Sequence, residues 1–285
     1  MHTIGPHTSI AGGLYKAAEQ AASLGANGFG MFTKNQRQWR ARAITAEEAD
    51  RFKETLLELG FEAGQILVHD SYLINLANPD DEKWERALGA FIDEVRRVEA
   101  LGLNLLNFHP GSHLGELDTH TACRRVAAAL DQAIEETEYA HLVIENTSGA
   151  GSTLGSTFEE LAMILDASRH SGRIGCCIDT CHAHTAGYDL SSIELFEVAI
   201  ARFEALVGLD KLWGMHLNDA KSGAGSRLDR HASLGDGTIG WQTFDHIASD
   251  ERFASIPLVL ETIDESRWAA EVARLRWGKD HERSL

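Results

Sequence analysis

His69, His109, Glu145, Asp179, His216 and Glu261 recur at intervals of roughly 35–45 residues, and each closes a short apolar run. Every one of them offers a nitrogen or oxygen lone pair that a divalent cation accepts. A single His at the end of a strand is commonly a hydrogen-bonded structural residue. Six such groups facing one another would repel or lie buried without partners. Divalent cations remove both difficulties. His182 follows Asp179 by three residues, and Asp229 and His231 sit in a later loop. These three form a candidate separate triad of N and O ligands, suited to Zn, Mn or Fe. The alternative for 229–231 is a solvated loop with a local ion pair. His7, His113 and His184 lie near the same rim as supporting residues. Asp70, Asn146, Asn218 and Asp219 are candidates to orient ligands by hydrogen bonds. Cations in such a pocket would neutralise phosphate oxygens, lower the pKa of a water between two of them, and hold a leaving oxygen. Phosphate ester hydrolysis needs all three.

The elements that must position these residues are legible as apolar runs. Eight candidate strands cover 3–7, 28–33, 65–69, 105–109, 142–145, 174–179, 212–216 and 258–261. They are rich in Val, Ile, Leu and Phe with little alternation, as strands buried on both faces are. Amphipathic stretches follow them at 14–24, 46–59, 82–101, 121–136, 159–166, 191–207, 241–249 and 266–277. Gly25, Gly60, Gly102 and Gly208 stand where helices should stop. Eight strands alternating with eight helices predict an α/β fold, a single (β/α)8 TIM barrel with its site at the C-terminal strand ends. A doubly wound sheet is disfavoured, because no G-x-G-x-x-G follows the first strand. One domain is expected over 1–277, followed by a polar tail over 278–285.

Composition narrows the setting. No apolar run approaches the ~20 residues that span a bilayer. The start of the chain lacks a basic-then-apolar leader, so a cytoplasmic protein is expected. Cys123, Cys176, Cys177 and Cys181 read as reduced, buried thiols, since three of them crowd one segment. A Cys177/Cys181 metal pair is the sharper alternative, and it lacks a second Cys pair. The net charge of −17 argues against a nucleic-acid partner on its own. Against that, 34–42 holds four positive residues and no acid, and 221–230 holds Lys221, Arg227 and Arg230.

At this point the residues carry a specific likeness. Phe32-Thr33-Lys34-Asn35-Gln36-Arg37-Gln38-Trp39, His69-Asp70-Ser71-Tyr72-Leu73-Ile74-Asn75-Leu76 and Asn107-Phe108-His109-Pro110-Gly111-Ser112-His113 occur in order. Glu145-Asn146-Thr147, Asp179-Thr180-Cys181-His182, His216-Leu217-Asn218-Asp219, Asp229-Arg230-His231 and Leu260-Glu261-Thr262 follow. The chain resembles endonuclease IV, the zinc-dependent apurinic/apyrimidinic endonuclease family of base-excision repair. The resemblance implies three Zn2+ per chain, with Mn2+ possible at one site. It gives one ion His69, His109 and Glu145. It gives a second Glu145, Asp179, His216 and Glu261, so that Glu145 bridges the pair. It gives the third His182, Asp229 and His231. Glu145 and Glu261 are the implied catalytic carboxylates. The implied reaction cuts duplex DNA on the 5′ side of an abasic site, leaving a 3′-hydroxyl and a 5′-deoxyribose phosphate, and removes 3′-blocking groups. Asn35, Gln36, Arg37, Tyr72 and Leu73 match the family's DNA-penetrating loops, and Arg230 is a further implied DNA contact. A flat or apolar side chain can fill the stack when a damaged nucleotide turns out. Pro6, before His7, departs from the family, which more often carries a small non-proline residue there. A monomer is expected, since one barrel can surround its own site.

Two other readings remain. A metal-dependent sugar isomerase would use a quartet like Glu145, Asp179, His216 and Glu261, without the Asp229/His231 triad or a wedge loop. A damage-binding protein with structural metals would bind abasic DNA and leave it uncut.

Overall fold

The computed structural model describes residues 2–279. The end of the expected polar tail, from residue 280 on, lies outside them. The chain runs β1 (Thr3–Thr8), α1 (Tyr15–Ser23), β2 (Phe29–Phe32), α2 (Ala46–Leu59), β3 (Ile66–His69), α3 (Asp81–Ala100), β4 (Leu105–Phe108), α4 (Thr119–Glu135) and β5 (His141–Glu145). It continues with α5 (Phe158–Ala167), β6 (Ile174–Asp179), α6 (Thr180–Ala186), α7 (Ile193–Leu206), β7 (Leu212–Leu217), β8 (Asp219–Ala220) and β9 (His231–Ala232). It ends with α8 (Trp241–Ile247), β10 (Pro257–Leu260) and α9 (Trp268–Trp277). Eight parallel strands close in the order β1-β10-β7-β6-β5-β4-β3-β2. This is the expected (β/α)8 barrel.

Local chemistry sets the helix ends. Thr45 caps α2 and Thr157 caps α5, each in a reciprocal box with Glu48 or Glu160. Asp80, Asp118, Asp179 and Ser192 cap α3, α4, α6 and α7. Gly25, Gly60, Gly102 and Gly208 all adopt positive φ just past their helices, as expected. Two elements depart from the sequence reading. Helix α6 follows β6 without a loop, and the β8–β9 hairpin interrupts the segment after β7.

The barrel separates two apolar layers. Outside the strands, Ile4, Phe29, Ile66, Val68, Phe108 and Ile144 pack toward the helices with Phe52, Phe91 and Phe203. Inside, Leu67, Leu105, Val143, Cys177 and Val259 form a separate cluster that Trp213 packs against. Side chains two apart share one face of a strand. Two residues beyond each member of this inner cluster stand His69, Asn107, Glu145, Asp179 and Glu261. The apolar plug is thus the floor on which the polar groups stand.

Strand β1 runs very close to the start of β2. A Cβ on Gly5 would lie 1.8 Å from the Gly28 carbonyl oxygen. Backbone cannot yield as a side chain can. Gly5→Ala is expected to cost about 3 kcal/mol or more, the upper end for overpacking, read as a lowered denaturation midpoint with an unchanged slope.

Candidate metal centre

Nine ligand-type side chains meet at the C-terminal mouth of the barrel, in three groups. His69, His109 and Glu145 form the first; Glu145, Asp179, His216 and Glu261 the second; His182, Asp229 and His231 the third. Within each group the available ligand atoms lie within 4.8 Å of one another. Glu145 belongs to two groups through its two oxygens. Its Oε2 is 3.3 Å from His69 Nε2 and 3.4 Å from His109 Nε2. Its Oε1 is 3.1 Å from His216 Nδ1, which is also 3.3 Å from Glu261 Oε2. In the third group, the two Asp229 oxygens are each 3.3 Å from an imidazole Nε2, of His182 and of His231.

These contacts test whether cations fit. Among the described residues, Glu145 Oε1, His109 Nε2, His216 Nδ1 and His231 Nε2 are buried with no hydrogen-bond partner. Glu145 Oε1 and His216 Nδ1 face each other at 3.1 Å, His109 Nε2 faces Glu145 Oε2 at 3.4 Å and His231 Nε2 faces Asp229 Oδ1 at 3.3 Å, each without the alignment a hydrogen bond requires. The opposite edges of two rings are tied down. His69 Nδ1 donates to the Asp70 carbonyl at 2.9 Å, and His182 Nδ1 donates to the Asn146 carbonyl at 3.0 Å. Each Nε2 faces a carboxylate, and in the neutral tautomer protonated at Nδ1 it presents the lone pair that a metal ligand needs. The donor set is imidazole and carboxylate throughout, which suits Zn2+ or Mn2+. Asp70 orients His69 as expected, through its backbone carbonyl; its Oδ1 stands 3.5 Å away.

The electrostatics agree. Burial pushes the Glu145 carboxyl up, but His216, His109 and His182 outweigh it and hold it well below the carboxylate range. Burial opposes charge on His216, yet Glu145 and Glu261 raise its pKa to about 9. Burial works the same way on His69, and Asp70 and Glu145 lift it well above its ordinary value. Burial opposes the Asp229 carboxylate too, and His182 and His231 bring it down to about 2. The carboxylates at this mouth demand positive charge, which is what a cation supplies.

Amide side chains hold the carboxylates in place. Asn107 Nδ2 donates to Glu145 Oε2. Asn218 Nδ2 donates to Asp179 Oδ2 at 2.6 Å, while the Glu261 N–H donates to Asn218 Oδ1 at 3.0 Å. Asn146 Oδ1 accepts from the Asp179 N–H at 2.7 Å. His7 Nδ1 donates to Glu261 Oε1 at 3.0 Å. Asp219 is fully buried and accepts from the N–H groups of Ala220, Gly235, Ile239 and Gly240. It therefore anchors the hairpin that carries Asp229 and His231. Sequence reading missed Asn107. The signal was there: it lies two residues before His109, on the inward face.

Of the expected DNA-contacting residues, Asn35, Gln36, Arg37, Tyr72 and Leu73 lie in the loops after the neighbouring strands β2 and β3, and Arg230 lies in the hairpin after β7. Ser71 Oγ donates to the Gln36 carbonyl at 2.8 Å, which ties the loop after β2 to the loop after β3. Asn35 and Arg37 are exposed, Gln36 and Leu73 half-buried, and Tyr72 is 56% exposed. The Tyr72 ring lies 5.4 Å from that of His69. Arg230 is exposed and donates to the Asp229 carbonyl. A cavity of about 320 Å³ opens between Tyr72, His109, Ser112, Thr147 and Asp229. His113 and His184 stay outside the three groups; His184 instead accepts from the Leu190 N–H.

One expectation needs correction, and one alternative falls away. The basic stretch 34–42 is less basic than it reads. Lys34 is buried, 2.9 Å from Asp93 and 3.3 Å from Glu94, and Arg42 pairs with Glu48. Arg37 and Arg40 remain as exposed cations outside any ion pair among the described residues. The Cys177/Cys181 pair does not form, because Cys177 lies in the inner barrel cluster and Cys181 on α6. All four cysteines are free and buried, as expected.

Comparisons with known proteins agree with this architecture. Residues 18–281 match the xylose isomerase-like TIM barrel family. Endonuclease IV from Thermus thermophilus is 33% identical, with a TM-score of 0.83 over 96% of this chain and 97% of that one. A D-tagatose 3-epimerase-like protein is 17% identical, with a TM-score of 0.72 over 95% of this chain and 94% of that one. D-psicose 3-epimerase from Clostridium cellulolyticum is 15% identical, with a TM-score of 0.70 over 98% of this chain and 99% of that one. The last two likenesses are of fold alone. The chain belongs to the xylose isomerase-like TIM barrel family, in its endonuclease IV group.

Proposed function

We propose that the protein is a metal-dependent hydrolase that cuts the DNA phosphodiester bond 5′ to an abasic site and removes 3′-blocking groups. The observation that carries this reading is the pair of extra groups flanking the Glu145, Asp179, His216, Glu261 quartet. A sugar isomerase or epimerase would need the quartet alone. The likeness to endonuclease IV supports the same substrate.

In this reading His69, His109 and Glu145 hold one Zn2+, the quartet a second, and His182, Asp229 and His231 a third, with Mn2+ acceptable at one of them. When bound, the ions would activate water, neutralise phosphate oxygens and stabilise the leaving oxygen. The chain's own residues do the positioning. Glu145 fixes the first two groups relative to each other, since one carboxylate faces both. Asn107, Asn218 and His7 keep Glu145, Asp179 and Glu261 from turning away. The cavity beside Tyr72 and Ser112 is where the lesion sugar would enter. An abasic nucleotide has no base to unpair, so its extrusion is cheap. Tyr72 and Leu73, with Asn35, Gln36 and Arg37, would fill the gap it leaves, while Arg230 meets a phosphate. All nine ligands come from one chain, so we propose that a single barrel domain acts as a monomer.

The decisive experiment incubates the purified protein with abasic-site duplex and counts its metals. Incision leaving a 3′-hydroxyl, with about three divalent ions per chain, is expected from the three ligand sets. Intact duplex together with aldose–ketose interconversion would sink the reading. Tight binding without incision at any metal supplement would favour a damage-binding protein.

Removing the exposed ring probes the wedge separately. Tyr72→Ala should raise KM for abasic duplex by roughly 5–150-fold, the range expected from 1–3 kcal/mol of base stacking. Metal content should be unchanged. An unaltered KM would place Tyr72 outside the DNA path.

A further inference from the structure

Two clusters of ligand-type side chains are left over among the described residues after the three groups are assigned; Glu197, His246 and Asp250 form one, away from the mouth, and the other shares residues with it. Asp179, Cys181 and His231 also offer three atoms within 4.8 Å of one another. Cys181 is fully buried and free of any disulfide. His231 Nε2 is buried without a hydrogen-bond partner among the described residues and stands 3.8 Å from Asp179 Oδ2. The competing oxygen ligand, Asp229, is the more open to solvent: its side chain is 49% exposed.

We propose that Asp179, Cys181 and His231 form an alternative binding position for a thiophilic divalent cation, of which cadmium is the test case. Imidazole and carboxylate serve a borderline or hard ion as well as a thiol does, so Zn2+ or Mn2+ has little reason to leave His182 and Asp229. A soft ion gains from sulfur. On binding, the Cys181 thiol gives its proton to solvent, its sulfur lone pair takes the ion, and the Asp229 carboxylate is released. His231 is common to both positions, so one ion occupies one or the other. Asp179 is common to this position and the quartet. A soft ion here therefore draws a carboxylate away from the neighbouring centre. The predicted consequence is inhibition by thiophilic metals that arises inside the pocket and needs no exposed cysteine.

The test reads binding and not incision, so it stands apart from the phosphodiesterase reading. Full-length protein is dialysed against cadmium chloride or zinc chloride and compared by ultraviolet absorption. A thiolate-to-cadmium charge-transfer band is expected in the wild type and in Cys177→Ser. It should vanish in Cys181→Ser and in Cys181→Ala, with circular dichroism confirming that each variant is folded. Cadmium NMR of the wild type needs no variant and should show one resonance in the deshielded range of sulfur ligation. A band that survives loss of Cys181, a band that disappears with Cys177, or a wild-type cadmium spectrum showing only nitrogen and oxygen ligation would overturn the proposal.

Discussion

Glu145→Gln is expected to abolish incision while leaving the barrel folded. Glu145 is fully buried, and its two oxygens face four imidazoles at 3.1–3.4 Å. Gln is nearly the same size, so packing on Val143 and Cys177 is undisturbed. What changes is charge and lone pairs. The buried negative charge that His216, His109 and His182 stabilise disappears, and one oxygen becomes an NH2 donor. That donor faces either the amide of Asn107 or a ring nitrogen that is itself short of an acceptor. Changing an outer partner of a metal ligand costs about 10–100-fold. A carboxylate shared by two ligand groups should cost more, about a thousandfold or beyond. Elemental analysis should show fewer bound ions than wild type, and circular dichroism an intact fold. Near-normal turnover would mean that Glu145 does not join the two groups.

The second large effect is metal removal. Dialysis against a chelator should abolish incision and lower Tm, and both should return on adding Zn2+. The stability loss has a calculable scale. A site held at a thousandfold excess over its Kd stabilises the fold by about 4 kcal/mol. For 285 residues, each contributing about 2.1 cal/mol/K to the unfolding entropy, that corresponds to a Tm shift of about 7 °C per site. The physical reason is visible in the pocket: four carboxylates from Glu145, Asp179, Asp229 and Glu261 crowd one mouth and depend on positive charge. A chelated protein melting at the wild-type temperature would show that no ion contributes to the folded state.

The barrel is readable from the sequence because strands buried on both faces leave apolar runs that nothing else explains. All eight runs are strands, and the errors lie at their ends. His109 and Glu261 fall one residue beyond β4 and β10, and β7 continues one residue past His216. A parallel ladder stops where its neighbour stops, which a single strand's residues do not encode. Helix α6 escapes sequence reading for a different reason. It is only seven residues long, and Asp179 is both the last residue of β6 and the cap of the helix. No turn chemistry separates the two. The β8–β9 hairpin pairs two residues with two, too few to show alternation. The ligand residues are legible because their spacing repeats with the fold. Lys34 misleads because its acidic partners, Asp93 and Glu94, lie far along the chain on α3.

That buried lysine bears on how the protein would find its substrate. With Lys34 and Arg42 paired with carboxylates of their own chain, Arg37 and Arg40 are what the stretch 34–42 leaves to line a duplex, beside Lys221, Arg227 and Arg230. Ions in the mouth would then be the main attraction on a body whose net charge is −17. Protein–DNA affinity that rests on many lysine and arginine contacts falls steeply with salt, by one released counterion per phosphate met. Here the fall should be shallow. Undamaged DNA should be repelled at low ionic strength, so added salt would weaken the search for lesions little and could ease it by screening the acidic flanks.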